Sequence, residues 1–205
     1  MTQNAPKPPL GRANWLAIAL DTLTQEGVNA VQITRLAKTL DVTRGSFYWH
    51  FTSRDDLLGA ILKEWHATNN AHFDHSFRNC DSLDESILNF FETWVNEGQF
   101  SPPLDQAIRD WAQLDHDVLE RVRHEDTQRI LRIAEMFHRF GFAPEDANVR
   151  ARVLYFSQVG YVAINLGEAM GERLSLLALY YTAYTGRTLD PVIAAKFTHK
   201  MQGTP

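Results

Sequence analysis

The chain has 205 residues, 44% of them hydrophobic and 22% charged. That ordinary globular usage supports a buried core in one or two domains and excludes extensive disorder away from the ends. A net charge of −5 excludes a basic protein that coats nucleic acid without selectivity. The charge is nevertheless uneven: residues 1–50 hold five basic against three acidic side chains, and residues 67–205 hold 13 against 19. A small basic head on an acidic body predicts that only the head meets a polyanion.

The opening "MTQNAPKPPLGR" lacks the apolar segment of a signal peptide and reads as a flexible Pro-rich arm over residues 1–12. The single cysteine, Cys80, permits no intrachain disulfide, and no C-x-x-C pair points to structural zinc. A reducing, cytoplasmic setting is expected. Strand signals are nearly absent while helical spacing recurs throughout, so the chain is expected to be all-α. The first helix is predicted over Ala13 to Gln25, with Leu16, Ala19, Leu20 and Leu23 on one face and Gly27 as its stop.

Residues 30–51, "AVQITRLAKTLDVTRGSFYWHF", contain two short helices. Leu36, Ala37 and Leu40 share a face of one, Val42 plugs the turn, and Phe47 and Phe51 turn the other toward the same core. This is the pattern of a helix-turn-helix, whose second helix can enter a major groove. Thr43 suits the N-cap, and Arg44, Gly45 and Ser46 fill a first turn able to approach base edges. Arg44 can read guanine or grip phosphate, Gly45 lets the backbone come close, and Ser46 can donate or accept. Tyr48 and His50 fall on flanks that reach the bordering phosphates. Trp49 is expected to pack in part while touching a sugar or phosphate edge.

A long helix follows from Ser53 into the seventies, with Ser53 and Asp56 close to a capping box and Leu58, Ile61, Leu62 and Trp65 as its apolar stripe. Further helices are predicted at 83–96, where Ile87, Phe90, Phe91 and Trp94 recur, and at about 103–114, 116–140, 145–167 and 172–185. The paired prolines of "QFSPPL" separate the first two of these.

The stretch "LAKTLDVTRGSFYWHFTSRDDLL", residues 36–58, resembles the signature of the TetR/AcrR family of one-component transcriptional regulators. The resemblance covers about residues 12–65. It implies an N-terminal three-helix DNA-binding domain at 13–53, joined by a linking helix at 54–78 to a helical ligand-binding and dimerisation body that runs to residue 205. It also implies that Thr43, Arg44 and Ser46 contact bases, and that Tyr48, His50 and Arg54 contact phosphates. Gln32 stands where the family usually has a capping Thr, which would pass a phosphate contact to Thr34. Asp41 replaces a usual turn Gly, and Asp tolerates the left-handed conformation better than most residues.

In the body, "VLYFSQVGYVAINLG" and "LSLLALYYTAYTG" carry no charge. Both runs are too short and too polar to span a membrane, so burial on two sides is expected, the second side by another copy of the chain. Gly160, Ala163, Gly167 and Ala178 permit close helix approach, and Leu177 and Tyr181 complete the expected homodimer interface. Such a dimer would space two reading helices by about 34 Å, one DNA turn, and favour a near-palindromic operator. Phe91, Trp94, Trp111, Phe137, Tyr155 and Gln158, with His116, are candidates for a pocket that takes a small-molecule effector; each aromatic also fits a place in the core.

His66, His72, His75 and Asp74 mimic a metal cluster, but no H-E-x-x-H, P-loop, G-x-S-x-G or dinucleotide fingerprint is present. No catalytic residue, metal or cofactor is therefore assigned. The expectation is a ligand-responsive DNA-binding regulator, a repressor released from its operator by a small molecule. The alternatives are a regulator without a ligand and an α-helical metal-dependent enzyme.

Overall fold

The computed structural model describes residues 10–77, 80–95 and 100–203, except for the side chains of residues 72 and 74–76. The described residues are helical throughout, with no strand, in the order α1 (Arg12–Glu26), a 3₁₀ turn (Val28–Ala30), α2 (Ile33–Thr39), α3 (Arg44–Phe47), α4 (Arg54–Phe77), α5 (Leu83–Thr93), α6 (Pro102–Ala112), α7 (His116–Arg139), α8 (Pro144–Ile164), α9 (Met170–Ser175), α10 (Leu177–Thr185) and α11 (Pro191–Gln202). They form two compact units, residues 1–67 with 103–118, and 68–102 with 119–205.

The first unit is organised around Trp15 and Phe47. Trp15, Ala19 and Leu23 repeat along the buried face of α1, and Leu36 and Ala37 do so along α2. Gly27, at φ 83°, ends α1 in a conformation that an L residue rarely adopts, and its N–H closes on the Leu23 carbonyl. At the head of α4, Ser53 Oγ accepts the Asp56 N–H at 3.1 Å. The Asp56 carboxylate reaches one residue further back than a capping box would place it, accepting the Thr52 N–H at 2.9 Å. Within the same unit, the buried Asp105 accepts the Trp65 indole N–H at 2.9 Å and pairs with Arg109 at 2.9 Å. An indole donor in the core thereby meets a charged partner.

The second unit is built on an aromatic core that includes Phe73, Phe90, Trp94, Phe137 and Tyr155. Polar ties fix its register. Tyr155 donates to Asp126 at 2.6 Å and accepts from the fully buried Arg129 at 3.3 Å. Asp84 on α5 accepts the Tyr181 hydroxyl of α10 and, at 3.2 Å, the N–H of Asp190 just before α11.

Three features depart from the sequence expectation. The helix expected over 172–185 is two helices, α9 and α10, separated at Leu176. A further helix, α11, lies beyond the expected set; Asp190 caps it through Val192 N–H and Ile193 N–H, with Pro191 at its first position. Helix α8 ends at Ile164 and not at 167, because Asn165 turns left-handed at φ 50°.

Burial and the neighbouring Asp84 carboxylate raise the Tyr181 phenol well above its ordinary value of 10.0. Tyr181→Phe is expected to lower stability by about 1.5–3 kcal/mol in urea unfolding at neutral pH, the range for a hydrogen bond to a charged group. The folded protein holds this proton more tightly than the unfolded chain. The wild-type contribution should therefore be complete below pH 10 and decline as pH rises past it, a slope the variant should lack.

Candidate nucleic-acid interface and body cavity

Helix α3 is a single turn, with Thr43 in extended conformation at its N-cap. The Thr43 side chain makes no capping bond, so its hydroxyl is not committed to the helix. Asp41 adopts φ 57°, which gives the turn its left-handed residue, and the Val42 N–H bonds the Ala37 carbonyl at 3.0 Å. Phe47 is fully buried, edge-on to Trp15 at 5.2 Å and stacked with Phe51 at 5.5 Å. Successive helical residues point about 100° apart, so this burial turns Arg44, Gly45, Tyr48 and Trp49 outward, where all four are exposed. Ser46 is half-buried.

Arg44 donates to the Tyr48 hydroxyl at 3.0 Å, which places a cation and a phenol on one side of the turn. Tyr48 is 48% exposed and Trp49 86% exposed. His50 Nε2 lies 3.1 Å from the Leu10 carbonyl. A carbonyl only accepts, so Nε2 carries the hydrogen and Nδ1 faces elsewhere. Thr34 is exposed in the first turn of α2. Its neighbour Gln32 occupies the N-cap without capping, and donates instead to the Asn29 carbonyl at 3.0 Å.

Arg54 has an internal task that its sequence position does not reveal. Its guanidinium donates to the Val31 and Val28 carbonyls, both at 2.7 Å, and so ties the start of α4 to the segment preceding α2. Two of its five donors are spent there.

The second unit contains a cavity of about 550 Å³, within the usual range of small-molecule sites. Its walls include Phe91, Leu174, Leu177, Tyr184 and Phe197, with Gln158 and Gly160 from α8. An adjoining space of about 230 Å³ is bounded by Trp94, Gln158, Tyr161, Glu168, Gly167 and Arg173. Phe91, Trp94 and Gln158 are thus gathered at this site. Phe137 and Tyr155 lie in the surrounding core, and Trp111 and His116 belong to the first unit, the former buried and the latter exposed.

Of the residues expected at an interface between copies, Ala163, Gly167 and Ala178 are exposed, whereas Leu177 and Tyr181 are buried within the chain. The exposed apolar side chains nearby are Val149, Val153, Phe156 and Ile164 on α8 and Leu179 and Tyr180 on α10. Of the histidine group, His66 is exposed. His72, Asp74 and His75 lie outside the residues whose side chains are described, and no group of three His, Cys, Asp or Glu able to hold a metal ion occurs among those that are. No helix among the described residues is long and apolar enough to cross a membrane.

A short helix with a buried ring at its end and polar side chains outward, set after a turn behind α2, defines a helix-turn-helix head carried on a helical body. Residues 16–61 match the family described as bacterial regulatory proteins, tetR family. Over 50 residues the chain is 40% identical to the HTH-type transcriptional regulator AcrR of Shigella flexneri, covering 24% of this chain and 23% of that one. Over 74 residues it is 34% identical to the HTH-type transcriptional regulator TtgR of Pseudomonas putida, covering 36% and 33%. The matched part thus spans about a quarter to a third of these relatives' length.

Across nearly the whole chain the fold is that of a TetR transcriptional regulator from Legionella pneumophila, with a TM-score of 0.60 at 19% identity, covering 98% and 99% of the two chains. The domain at residues 16–61 thus belongs to the tetR family of bacterial regulatory proteins.

Arg54→Gln should leave the Val31 carbonyl without its guanidinium donor and the Val28 carbonyl with the Val31 N–H alone. The expected cost is about 1–3 kcal/mol, read as a lowered urea midpoint in the full chain. A variant as stable as wild type would show that water replaces the guanidinium at no loss.

Proposed function

We propose that the chain is a homodimeric, non-enzymatic regulator that binds a near-palindromic DNA operator through α3 and leaves it when a small molecule enters the body. One observation carries the DNA reading: Phe47 is buried while Arg44, Tyr48 and Trp49 stand outward on the same single turn. In this reading Arg44 and Ser46, with the uncommitted Thr43 hydroxyl, face base edges, and Gly45 admits a close backbone. Tyr48, His50 and Thr34 face phosphates, Trp49 lies against the sugar edge, and any donors Arg54 has left over from its clasp add to them.

The dimer reading is supported by the exposed apolar side chains that recur on α8 and α10, Val149, Val153, Phe156, Ile164, Leu179 and Tyr180. In this reading Gly160, Ala163, Gly167 and Ala178 would permit its close approaches. Leu177 and Tyr181 act from beneath, by shaping α10. The effector reading is supported by the cavity in the second unit, to which α8 and α10 both contribute. A ligand that prefers one arrangement of these helices shifts the protein between DNA-binding and released states, by no more than its difference in affinity for the two.

Selection of bound DNA from a random pool should return a near-palindrome with half-sites one helical turn apart, and recovery of no shared sequence would sink the operator reading. Tyr48→Ala and His50→Ala should each weaken binding to all sequences alike, as the loss of a phosphate contact does. Arg44→Ala should also relax the preference at one base position, a loss of about 1–3 kcal/mol in discrimination. Leu179→Glu, on an exposed apolar position, should convert the dimer to monomer in sedimentation without loss of helicity.

A further inference from the structure

The cavity is apolar in its larger part and rich in unspent hydrogen-bond donors at one end. Arg173 lies over the Tyr161 ring with its guanidinium carbon 4.2 Å from the centroid, and no carboxylate among the described residues comes within ion-pair distance of it. Stacking uses the face of a guanidinium and leaves its edge N–H groups directed outward. Glu168, the acidic side chain that bounds this space, accepts the Tyr161 hydroxyl at 2.9 Å.

Two further groups bound the same space. Trp94 is 5% exposed, and its Nε1–H is fully buried with no acceptor among the described residues. Gln158 is 6% exposed, lines both the larger cavity and the annex, and its amide makes no hydrogen bond among the described residues. Buried indole and amide groups ordinarily find partners, because leaving one unmatched costs free energy comparable to the bond itself. A stacked cation and an amide without a hydrogen-bond partner therefore bound the same space, beside the Trp94 ring. Beyond them the space opens between Phe91, Tyr184 and Phe197.

We propose that this cavity binds an organic carboxylate with an apolar body. The carboxylate sits in the annex, beside the Trp94 ring, accepting from the Arg173 guanidinium edge and the Gln158 amide. The body lies among Phe91, Leu174, Tyr184 and Phe197 in the larger chamber. This rests on the reading of the second unit as an effector-binding body and adds the chemical class of the effector. A neutral alcohol of the same shape would fill the chamber but leave Arg173 without a counter-charge. An organic cation would face the guanidinium directly.

Calorimetric titration of the full-length protein with decanoate, and separately with 1-decanol, tests the assignment. Decanoate should bind roughly ten-fold or more tightly than decanol, the difference expected of a charge-assisted pair, and should shift the tryptophan emission in wild type but less in Trp94→Phe. Arg173→Gln should bring decanoate down to the affinity of decanol while leaving decanol unchanged. Arg173→Lys should keep part of the difference, as a point charge without the planar fork. Glu168→Gln, which removes the one nearby like charge, should tighten decanoate binding. Unchanged circular dichroism and unfolding midpoint identify each variant as folded.

Equal binding of the two probes, or indifference of decanoate to Arg173→Gln, would overturn the carboxylate class while leaving an effector-binding cavity in place. Failure of both probes to bind also overturns the proposal. A screen of neutral and cationic compounds for DNA release then decides separately whether the effector reading survives.

Discussion

A helix of four residues, Arg44–Phe47, has too few internal hydrogen bonds to persist in water, so α3 depends on what Phe47 is packed against. That ring is fully enclosed, edge-on to Trp15 and stacked on Phe51. It fixes the rotation of the turn about its own axis and with it the direction of every neighbouring side chain. Asp41 in the left-handed region sets the approach from α2, and the Arg54 clasp on the Val28 and Val31 carbonyls sets the departure into α4. A surface held this way presents Arg44, Tyr48 and Trp49 at little further entropic cost, which is what recognition by a few contacts requires.

The body achieves definition differently. Its aromatic rings share one core, and buried polar ties join the helices that carry them. Asp84 joins α5 to α10 through Tyr181 and reaches the residue that caps α11. Tyr155 is held between Asp126 and Arg129, and so sits in the core and not at the cavity wall. Gln158 and Arg173 differ from the groups in these ties in that they border one space without making a hydrogen bond or ion pair among the described residues.

What the sequence made legible follows from how local each determinant is. The helix-turn-helix could be read because Leu36, Ala37, Phe47 and Phe51 each report burial at short spacing, and Asp41, a departure from the usual turn Gly, does adopt the left-handed angle. The break at Leu176 was invisible, since the run around it is apolar on every side and periodicity carries no phase there. Helix α11 did have a local signal in Asp190-Pro191, a cap followed by a first-turn proline, outweighed by its weak amphipathic pattern. The allotment of aromatics was not local at all. Phe91 and Trp94 reach the cavity while Phe137 and Tyr155 do not, and Trp111 packs in the other unit. All five look alike in a helical repeat. The task of Arg54 was equally hidden, as its partners are backbone carbonyls 23 and 26 residues away.

The mouth of the cavity and the exposed apolar row on α8 share Phe156 and Ile164, with Leu166 just beyond. In the proposed dimer, a second copy laid against that row would also border the entrance, so occupancy of the cavity and association of the copies cannot be independent. Linkage makes the relation reciprocal: whatever factor dimerisation adds to effector affinity, the effector adds to dimerisation. A ligand that keeps Phe156 and Ile164 turned outward favours the dimer, and one that draws them into the chamber removes apolar surface from the contact. Effector chemistry at this site would thus be read first as a change in how two copies meet. The operator would respond through the spacing of two α3 turns, without any contact between effector and DNA.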